Sequence, residues 1–492
     1  METLVNHREV RAPIVEFLNT VVGDYVRWCT PSILMDAPKV RDVYESDVSA
    51  SLSIHGTLAE NSGIFAEAHE LAARLYGADH TLFSVHGSTG SVYVVMRYLS
   101  LMYGTPLVLV TRNIHVSVQN ACEDFGIRFR FIRSHYDPEF DAIIPPSPEE
   151  VVEALERYPE ANAVLLSNPT YEGISCRLEE TVRAIRNFDS KILVIVDEAW
   201  GAHFKFSDRL PKTAMEVGAD ISIQSTHKQG GSLQQTGMIH WKDGRVDPDV
   251  MWEAYRGYVT TSPSYHMMAS LDAARAYLEV HGRREVERII RLSGEFREEL
   301  RARLPDLKIM DEEALDPWKE YVGGLDLTKT QVALTKYGVT GFQLDLELQE
   351  KFKVVPDTAN YNSLLFITTF QLPESAVERT VSALEKALGG RKLEGEKKLL
   401  NPPLRADPPR IEPYLLRRMP KKLVTQRVPI DLSVGMISAE TITPYPPGVP
   451  IVIKGHTISK EDVEYLKAVR DSGGILIARD PTLREIEVLP MP

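Results

Sequence analysis

The stretch KILVIVDEAWGAHFKFSDRLPKTAMEVGADISIQSTHKQGGSLQQTGMIH, residues 191–240, decides the fold of the chain. It opens with the unbroken apolar run Ile192 to Val196, which is typical of a strand buried on both faces of a parallel sheet, and the run ends at Asp197. Asp220 to Gln224 predict a second strand, followed by the sequence STHK at residues 225–228. Open α/β folds bind ligands where their strands end, so the stretch predicts a binding site at one edge of a sheet.

Lys228 and Asp197 are the residues of this stretch that are the clearest candidates for a catalytic role. A lysine amine at a strand end is a candidate for Schiff-base formation, and a carboxylate at another strand end is a candidate partner for a pyridinium nitrogen. Taken alone, an Asp-Glu strand end is more often a helix cap or loop, and a Ser-Thr-His-Lys run is usually a solvated turn. Their pairing, together with the loops described below, favours the catalytic interpretation.

The composition indicates a globular enzyme, because 43% hydrophobic and 25% charged residues are ordinary for that class. Two or three domains are expected, because a chain of 492 residues is too long for a single hydrophobic core. A formal charge of −13 argues against non-specific nucleic-acid binding and against an acidic membrane surface. The N-terminus lacks a secretory apolar core. Three cysteines without a CxxC pair, Cys29, Cys122 and Cys176, predict neither disulfides nor a metal site. These features predict a cytoplasmic protein.

Strands and helices alternate between residues 64 and 305, which predicts a large domain with a doubly wound, mainly parallel α/β sheet. Its predicted strands are 81–85, 107–110, 163–167, 192–196 and 220–224, and its predicted helices are 64–76, 92–103, 146–158, 177–188 and 266–304. Ser147 is the expected N-cap of the helix at 146–158. In such a sheet the loops after the strands leave the same edge.

Three further segments complete the predicted organisation. Residues 1–63 form an N-terminal segment with one helix candidate at 12–26. Residues 306–392 form a smaller α+β domain, with strands at 325–334 and 364–369 and helices at 341–351 and 374–388. Residues 393–492 form a C-terminal appendage, with a strand at 451–453 and a helix at 460–471, and the proline-rich charged sequence at 389–413 is the expected linker.

Two loops of the large domain have both a plain and a functional interpretation. The GSTG sequence at residues 87–90 lies between a predicted strand and helix, where N–H groups and hydroxyls can surround a phosphate, although by itself it is more often a tight turn. His115 follows a predicted strand, where a histidine is usually a helix cap or surface residue but can also stack on a planar cofactor. The sequence alone leaves both interpretations open.

Five loops share a position after a predicted strand: Gly87-Ser88-Thr89-Gly90, Arg112-Asn113-Ile114-His115, Asn168-Pro169-Thr170-Tyr171, Asp197-Glu198-Ala199-Trp200-Gly201-Ala202-His203 and Ser225-Thr226-His227-Lys228. Together they resemble the fold-type-I, pyridoxal-phosphate-dependent ornithine/lysine/arginine decarboxylase family. The resemblance is close over residues 65–300 and reappears at Tyr445 to Pro450. It implies an aspartate-aminotransferase-like fold with pyridoxal 5'-phosphate as cofactor. The chain looks like the short form of the family, without an N-terminal wing domain.

The resemblance implies a role for each matching residue. Lys228 would carry the cofactor as a Schiff base, Asp197 would pair with the pyridine nitrogen and keep it protonated, and His115 would stack on the ring with Ala199 against its other face. The cofactor phosphate would be held by small or polar residues, namely Ser88, Thr89, Gly90, Ser225 and His227. Sites of this fold type lie at a dimer interface, which implies a homodimer or higher homo-oligomer in which Thr260 to Ser264 reach the neighbouring cofactor.

Several departures from the family pattern concern the substrate. Members usually carry His-x-Pro-Gly-His where this chain has Trp28 to Ser32, and many read Pro-Gly-Glu where it has Lys454-Gly455-His456. Trp200 replaces a frequent histidine, whereas Pro356-Asp357 stands where members often have Pro-Glu, so one acidic group is kept. The resemblance implies an amino-acid decarboxylase, with a basic substrate (arginine, lysine or ornithine) favoured and polyamine biosynthesis as the corresponding role.

Two alternatives remain open. The same cofactor residues support transamination, aldol cleavage or oxygen-dependent deamination of an amino acid, and the exchange of a carboxylate for His456 weakens the case for a cationic substrate. A non-catalytic relative that serves as a binding partner is the second alternative, against which the intact Lys228 and Asp197 argue. The expected partners are therefore an amino acid and a second copy of the chain, with no nucleic acid, membrane or metal.

Overall fold

A seven-stranded sheet lies at the centre of the computed structural model, which describes residues 25–39, 42–49, 51, 53–395, 397, 399–420, 425–445 and 448–490. In chain order its strands are β1 (His80–Ser84), β2 (Leu107–Thr111), β3 (Arg128–Ile132), β4 (Ala163–Ser167), β5 (Leu193–Asp197), β6 (Ile221–Gln224) and β7 (Gly237–Trp241). They pair in the order β1-β7-β6-β5-β4-β2-β3, and β7 runs antiparallel to the other six. The predicted mainly parallel α/β sheet is confirmed.

Both faces of the sheet are buried, which explains why its central strands read as continuous apolar runs. Leu193 and Ile195 of β5 pack into one apolar cluster, whereas Val194 and Val196 pack into another on the opposite face. The helices of this domain are α1 (Ile64–Tyr76), α2 (Gly87–Tyr103), α3 (Val116–Phe125), α4 (Pro148–Arg157), α5 (Leu178–Phe188), α6 (Pro248–Arg256) and α7 (Tyr265–Arg303). Helix α1 has the bounds that the sequence predicts.

Ser147 caps α4, as predicted. Its Oγ accepts a hydrogen bond from the backbone N–H of Glu150 at 3.3 Å, and the Glu150 carboxylate accepts one from the N–H of Ser147 at 3.1 Å. This reciprocal pair satisfies two N–H groups that the first helical turn would otherwise leave unpaired. The helix therefore begins at Pro148, two residues later than the predicted start at 146.

The GSTG sequence is the first turn of α2 and not a loop before it. Gly87 has a φ of +63°, a left-handed conformation that glycine adopts without strain. The hydroxyl of Ser91 donates to the carbonyl oxygen of Gly87 at 3.3 Å. Apolar periodicity placed the helix start at Val92 because this turn contains no apolar residue.

A second, antiparallel sheet forms the smaller domain. Its strands are β8 (Lys308–Ile309), β9 (Lys329–Ala333), β10 (Thr358–Ala359) and β11 (Ser363–Ile367), in the order β8-β9-β11-β10. The prediction of one strand at 325–334 is wrong, because the chain turns around the buried Asp326, whose carboxylate accepts from the N–H of Thr328 at 3.0 Å. The strand Val322–Leu325 therefore ends before β9 begins. The domain also contains the helices Gly341–Glu347 and Ala376–Leu388 and the π-helical turn Leu348–Phe352.

Trp28 attaches the N-terminal segment to the smaller domain. The strand Val26–Trp28 pairs in parallel with Val354–Pro356. The buried indole of Trp28 stacks on Phe296 of α7 at 4.3 Å, and its Nε1 donates to Thr380 Oγ1 at 2.8 Å. Earlier residues of α7 pack in the core of the large domain, so this helix joins the two domains. The predicted helix at 12–26 lies outside the described residues up to residue 24.

The C-terminal residues form an apolar core of their own around Ile442 and Leu466. The helix Lys460–Asp471 has the predicted bounds. The predicted strand at 451–453 is wrong, because Val452 makes one isolated bridge to Ile442 and the run is buried without forming a ladder.

The remaining short elements are the helix Pro413–Arg418, the 3₁₀ turns Ser53–His55, Phe204–Phe206, Asp316–Trp318 and Ile430–Leu432, and the strands His135–Asp137, Ala142–Ile144, Ile174–Cys176, Gln426–Pro429, Thr443–Tyr445, Ile475–Ile477 and Glu485–Val488.

Candidate active site

A cavity of about 350 Å³ opens where the parallel strands of the large sheet end. Asp197 ends β5, Lys228 follows β6 in the single helical turn Thr226–Gln229, and His115 follows β2. All three side chains line this cavity, so the structure brings together the three residues that the sequence singled out as catalytic. The other lining residues are Thr30, Gly87, Ser88, Thr89, Asn113, Ile114, Ser117, Ile143, Ser167, Pro169, Tyr171, Glu172, Ala199, Trp200, Ser225, His227, Gln234, Tyr445 and Val449.

Asp197 and Glu198 are adjacent in sequence but have different surroundings. The carboxylate of Glu198 is fully buried and accepts three hydrogen bonds of 2.8–3.0 Å, from Ala214, Ser222 and Gln224. Asp197 lines the cavity, and its Oδ1 accepts from the N–H of Ala199 at 3.2 Å. Burial raises the pKa of Asp197, and the nearby Lys228 opposes that shift. Asp197 is therefore the carboxylate that a ligand can reach, whereas Glu198 fixes the chain between β5 and β6.

The ammonium group of Lys228 lies 3.9 Å from the centroid of the Trp200 ring. Burial lowers the pKa of Lys228 to about 8, with Asp197 opposing the shift and Lys329 adding to it. At that pKa a useful fraction of the side chain is an uncharged amine near neutral pH, which is the form that attacks an aldehyde. The surroundings of Lys228 therefore suit Schiff-base chemistry.

The first turn of α2 leaves two backbone donors for a ligand. Gly87 and Gly90 donate their N–H groups to the carbonyl oxygens of Gln235 and His86, at 2.7 and 3.0 Å. The N–H groups of Ser88 and Thr89 have no backbone acceptor among the described residues, and both residues line the cavity. Of the residues predicted to hold the cofactor phosphate, Gly90 is the one that does not line the cavity.

Ser225 and His227 lie beside this turn. The hydroxyl of Ser225 donates to Ser88 Oγ at 2.5 Å, which joins the end of β6 to α2. His227 Nδ1 lies 2.8 Å from the carbonyl oxygen of Thr236, so Nδ1 carries a proton and donates it. Burial lowers the pKa of His227 to about 4, which leaves Nε2 unprotonated near neutral pH. The result is a polar corner at the N-terminus of a helix, where anions bind.

His115 is both a helix cap and a cavity residue, so the two interpretations of its sequence position are compatible. Its Nδ1 accepts from the backbone N–H of Ser117 at 3.2 Å, which caps α3. The same residue lines the cavity. Burial and the nearby Lys228 lower the pKa of His115 to about 4, so the ring is neutral and can lie against a flat ligand. Ala199, expected on the other face of such a ligand, lines the same cavity.

Asp357, the acidic group that the sequence retains, lies behind the cavity wall. Its Oδ2 accepts from the hydroxyl of Tyr171 at 2.8 Å, and its Oδ1 accepts from the N–H of Thr30 at 3.1 Å. Tyr171 and Thr30 both line the cavity. Asp357 therefore positions two wall residues, one from the large domain and one from the N-terminal segment.

Lys329, on β9 of the smaller domain, is a buried lysine that sequence reasoning missed. Its ammonium lies 4.3 Å from the centroid of the Trp200 ring and donates to the carbonyl oxygen of Tyr171 at 2.7 Å. Trp200 is therefore in contact with two lysines, since Lys228 approaches the same ring. In the sequence Lys329 falls inside the predicted strand at 325–334, and only the structure shows that every position of KTQVA is buried.

The C-terminal residues also reach the site. Tyr445 and Val449 line the cavity, in the segment where the family resemblance reappears. His456, in contrast, lines a separate cavity with Arg112 and does not line the Lys228 cavity. The Thr260 to Ser264 loop does not line the Lys228 cavity either.

No helix in the described ranges is long and apolar enough to cross a membrane. No three or more His, Cys, Asp or Glu side chains there are grouped so that they could hold a metal ion. Cys29, Cys122 and Cys176 are free thiols.

Sequence comparison matches the Orn/Lys/Arg decarboxylase major domain to residues 41–324 and the Orn/Lys/Arg decarboxylase C-terminal domain to residues 415–475. An arginine decarboxylase of Bacillus anthracis is 32% identical over 436 residues, which cover 87% of this chain and 85% of that protein. An arginine decarboxylase of Bacillus subtilis is 32% identical over 434 residues, which cover 87% and 86%.

Solved structures show the same fold. The Francisella novicida lysine decarboxylase LdcF superposes with a TM-score of 0.77 at 20% identity, over 91% of this chain and 75% of that one. A ureidoglycine-glyoxylate aminotransferase of Bacillus subtilis superposes with a TM-score of 0.56 at 15% identity, over 79% and 97%. The fold is that of the fold-type-I pyridoxal-phosphate enzymes. Because the major-domain match spans more than half of the chain, the chain belongs to the Orn/Lys/Arg decarboxylase family and is an amino-acid decarboxylase.

Proposed function

We propose that the protein binds pyridoxal 5'-phosphate and decarboxylates a basic amino acid, with arginine, lysine and ornithine as the candidate substrates. The observation that carries this proposal is the single cavity lined by Lys228, Asp197 and His115. The substrate class is supported by the names of relatives: those of Bacillus anthracis and Bacillus subtilis are named arginine decarboxylases, and LdcA of Pseudomonas aeruginosa is named a lysine decarboxylase. The products of such a reaction are polyamines or their precursors.

The polar corner beside α2 suits the phosphate of this cofactor. The unused N–H groups and the hydroxyls of Ser88 and Thr89 are neutral donors for it, and Ser225 would hold Ser88 in place through the hydrogen bond that it donates. Because Nδ1 of His227 already donates to Thr236, His227 would take up a proton on Nε2 to donate to a phosphate dianion. Gly90 would contribute by close packing alone, since a Cβ there would lie 2.4 Å from that of His86.

When bound, pyridoxal phosphate supplies an electron-accepting ring joined to the substrate nitrogen, which weakens the bonds at the substrate α-carbon. Lys228 would hold the cofactor through its Nζ, and the same Nζ would be placed to deliver the proton that takes the place of the lost carboxylate. Asp197 would keep a proton on the ring nitrogen, and His115 and Ala199 would hold the ring flat. The substrate loses its carboxylate as CO₂ and gains one proton in its place.

Trp200 would supply an apolar wall near the reacting carbon. Its indole is 8% exposed and packs edge to face with Tyr171, at 4.7 Å between ring centroids. The face of the ring offers a carboxylate no hydrogen bond, but Lys228 and Lys329 lie against it, so their charges would act on a carboxylate held there together with the indole.

We further propose that the protein is a cytoplasmic homodimer in which Thr260 to Ser264 approach the neighbouring site. Large apolar side chains are exposed between residues 35 and 64, among them Tyr44 and Ile54 at 91% and 87%. This segment lies next to the loop, because Ser46 Oγ is 2.9 Å from His266 Nε2 at the start of α7. Sedimentation of the cofactor-loaded protein should give twice the mass of one chain, and a monomer would contradict the proposal.

The substrate proposal is tested by the release of CO₂ from a panel of amino acids, with and without oxygen. We expect release from arginine, lysine or ornithine that does not need oxygen, and a visible absorbance band of bound cofactor that changes when the substrate is added. Lys228→Ala should remove both the band and the release, whereas Lys460→Ala, at a 74% exposed side chain, should change neither. Full turnover by Lys228→Ala would contradict the proposal.

A further inference from the structure

Glu172 is a buried carboxylate in the wall of the Lys228 cavity whose charge nothing in the wall balances directly. The residue is 3% exposed, and its Oε2 has no hydrogen-bond partner among the described residues. No described arginine, lysine or histidine forms an ion pair with it. Burial raises the pKa of Glu172, while its own N–H, the Thr170 hydroxyl and the charge of Lys329 oppose the shift. A buried carboxylate without a partner is costly, and a cationic ligand would remove that cost.

The loop that carries Glu172 is held in place by hydrogen bonds of its own. The Asn168 side-chain oxygen accepts from the N–H of Cys176 at 2.8 Å, and the N–H of Thr170 donates to the carbonyl oxygen of Ile174 at 2.8 Å. Gly173, the next residue, has a φ of +101°, and a Cβ there would lie 2.9 Å from that of Asp326. The position of Glu172 is thus prepared before any ligand arrives, which favours binding because little order has to be gained.

The other charged residues around the cavity already have partners or lie elsewhere. Glu172 is therefore the acidic residue that could bind a second charged group of a ligand. Of the residues that line the cavity, Asp197 and Glu172 carry the carboxylates, and Asp197 is the neighbour of Lys228. Asp357 is already bonded to Tyr171 and Thr30. The Lys329 ammonium is directed at the carbonyl oxygen of Tyr171. His456, where many members of the family have a glutamate, lies in another cavity.

We infer that Glu172 binds the cationic end of the substrate side chain and so selects basic amino acids. This inference rests on the proposed function, since the amino end of the substrate has to lie at Lys228. A ligand anchored at Lys228 and extending to Glu172 carries an amine at one end and an ammonium or guanidinium group at the other. The cationic group would donate charge-assisted hydrogen bonds to Oε2, which otherwise has no partner among the described residues. A neutral side chain of equal size cannot donate such bonds.

Glu172→Gln tests this inference, because it removes the charge and keeps the shape. The ligands are two pairs of equal length, arginine with neutral citrulline and lysine with neutral 2-aminoheptanoic acid. We expect the dissociation constant of the cationic member to rise about 10- to 100-fold and that of the neutral member to change less than about threefold. Affinity is measured on the cofactor-loaded protein from the change in visible absorbance, with calorimetry as the second readout, and KM should rise while kcat changes little.

Asp141→Asn is the matched control. Asp141 is also a buried carboxylate, but its oxygens accept from Tyr136, Asn362 and Ser363, and it does not line the Lys228 cavity. Its substitution should leave the ratio of affinities within each pair unchanged. An equal loss for both members in Glu172→Gln, or equal affinities in the unmodified protein, would overturn the inference. If no basic amino acid releases CO₂, the proposed function fails, and the affinities still decide the role of Glu172.

Discussion

The two ends of the Lys228 cavity are built in different ways. At the cofactor end, Asp197, Ser225 and Lys228 follow neighbouring parallel strands, and Ser88 starts the helix beside them. At the substrate end, Tyr171 and Glu172 come from a large-domain loop, and residues of other segments, Thr30, Tyr445 and Lys329, complete or support the wall. The first end depends on one sheet, whereas the second depends on how separate segments pack against it. The cofactor end is therefore the more constrained by the fold, and the substrate end can vary.

Asp197→Asn should have the largest effect among changes that leave Lys228 in place. Asparagine keeps the shape of the side chain but cannot hold a proton on the ring nitrogen as an anion does. We expect kcat/KM to fall about 100- to 1000-fold, which is typical for the loss of one preorganised electrostatic contact. The visible band of bound cofactor should persist because Lys228 is intact. A fall of less than about tenfold would mean that the cofactor end does not work as its geometry suggests.

Lys329→Met tests whether the substrate end influences the cofactor end. Lys329 lowers the pKa of Lys228, so its removal should raise that pKa above about 8. The free amine of Lys228 forms as pH rises through this pKa, and capture of the cofactor by the cofactor-free protein should follow the same curve. The midpoint of the capture rate should therefore move to higher pH, with about a tenfold slower rate at neutral pH for each unit.

The matched control for this variant is Lys460→Met, at a lysine whose side chain is 74% exposed. It should leave the midpoint of capture where it is in the unmodified protein. A midpoint in Lys329→Met that is equal to or lower than that of the control would show that the two lysines do not interact.

The difference between the two ends also explains what the sequence could predict. Continuous apolar runs identify parallel strands, and polar residues directly after them, such as Asp197 and Lys228, can be assigned to one edge without knowing the packing. Lys329 and Glu172 could not be assigned in this way, because one starts a strand of another domain and the other sits midway along a loop. The apolar run around Val452 shows the same limit. Its residues predict a strand, whereas in the structure Val452 forms one isolated bridge.

His115→Phe should have the smallest effect, because phenylalanine keeps a flat ring against the cofactor. We expect kcat/KM to stay within about threefold, whereas His115→Ala should lose about tenfold, in keeping with the value of an aromatic contact. The pKa of His115 is lowered to about 4, so the ring is neutral above about pH 5 and its titration should not appear in the pH profile between 6 and 8. If phenylalanine is as damaging as alanine, the ring does more than stack.

The most direct test of the account is to locate the covalent bond to the cofactor. Borohydride reduction of the cofactor-loaded protein, followed by digestion and mass spectrometry, identifies the lysine that carried the cofactor as a Schiff base. We expect modification of Lys228 alone, although Lys329 approaches the same Trp200 ring within 4.3 Å. Modification of Lys329, or of neither lysine in a protein that retains its visible band, would contradict the central assignment.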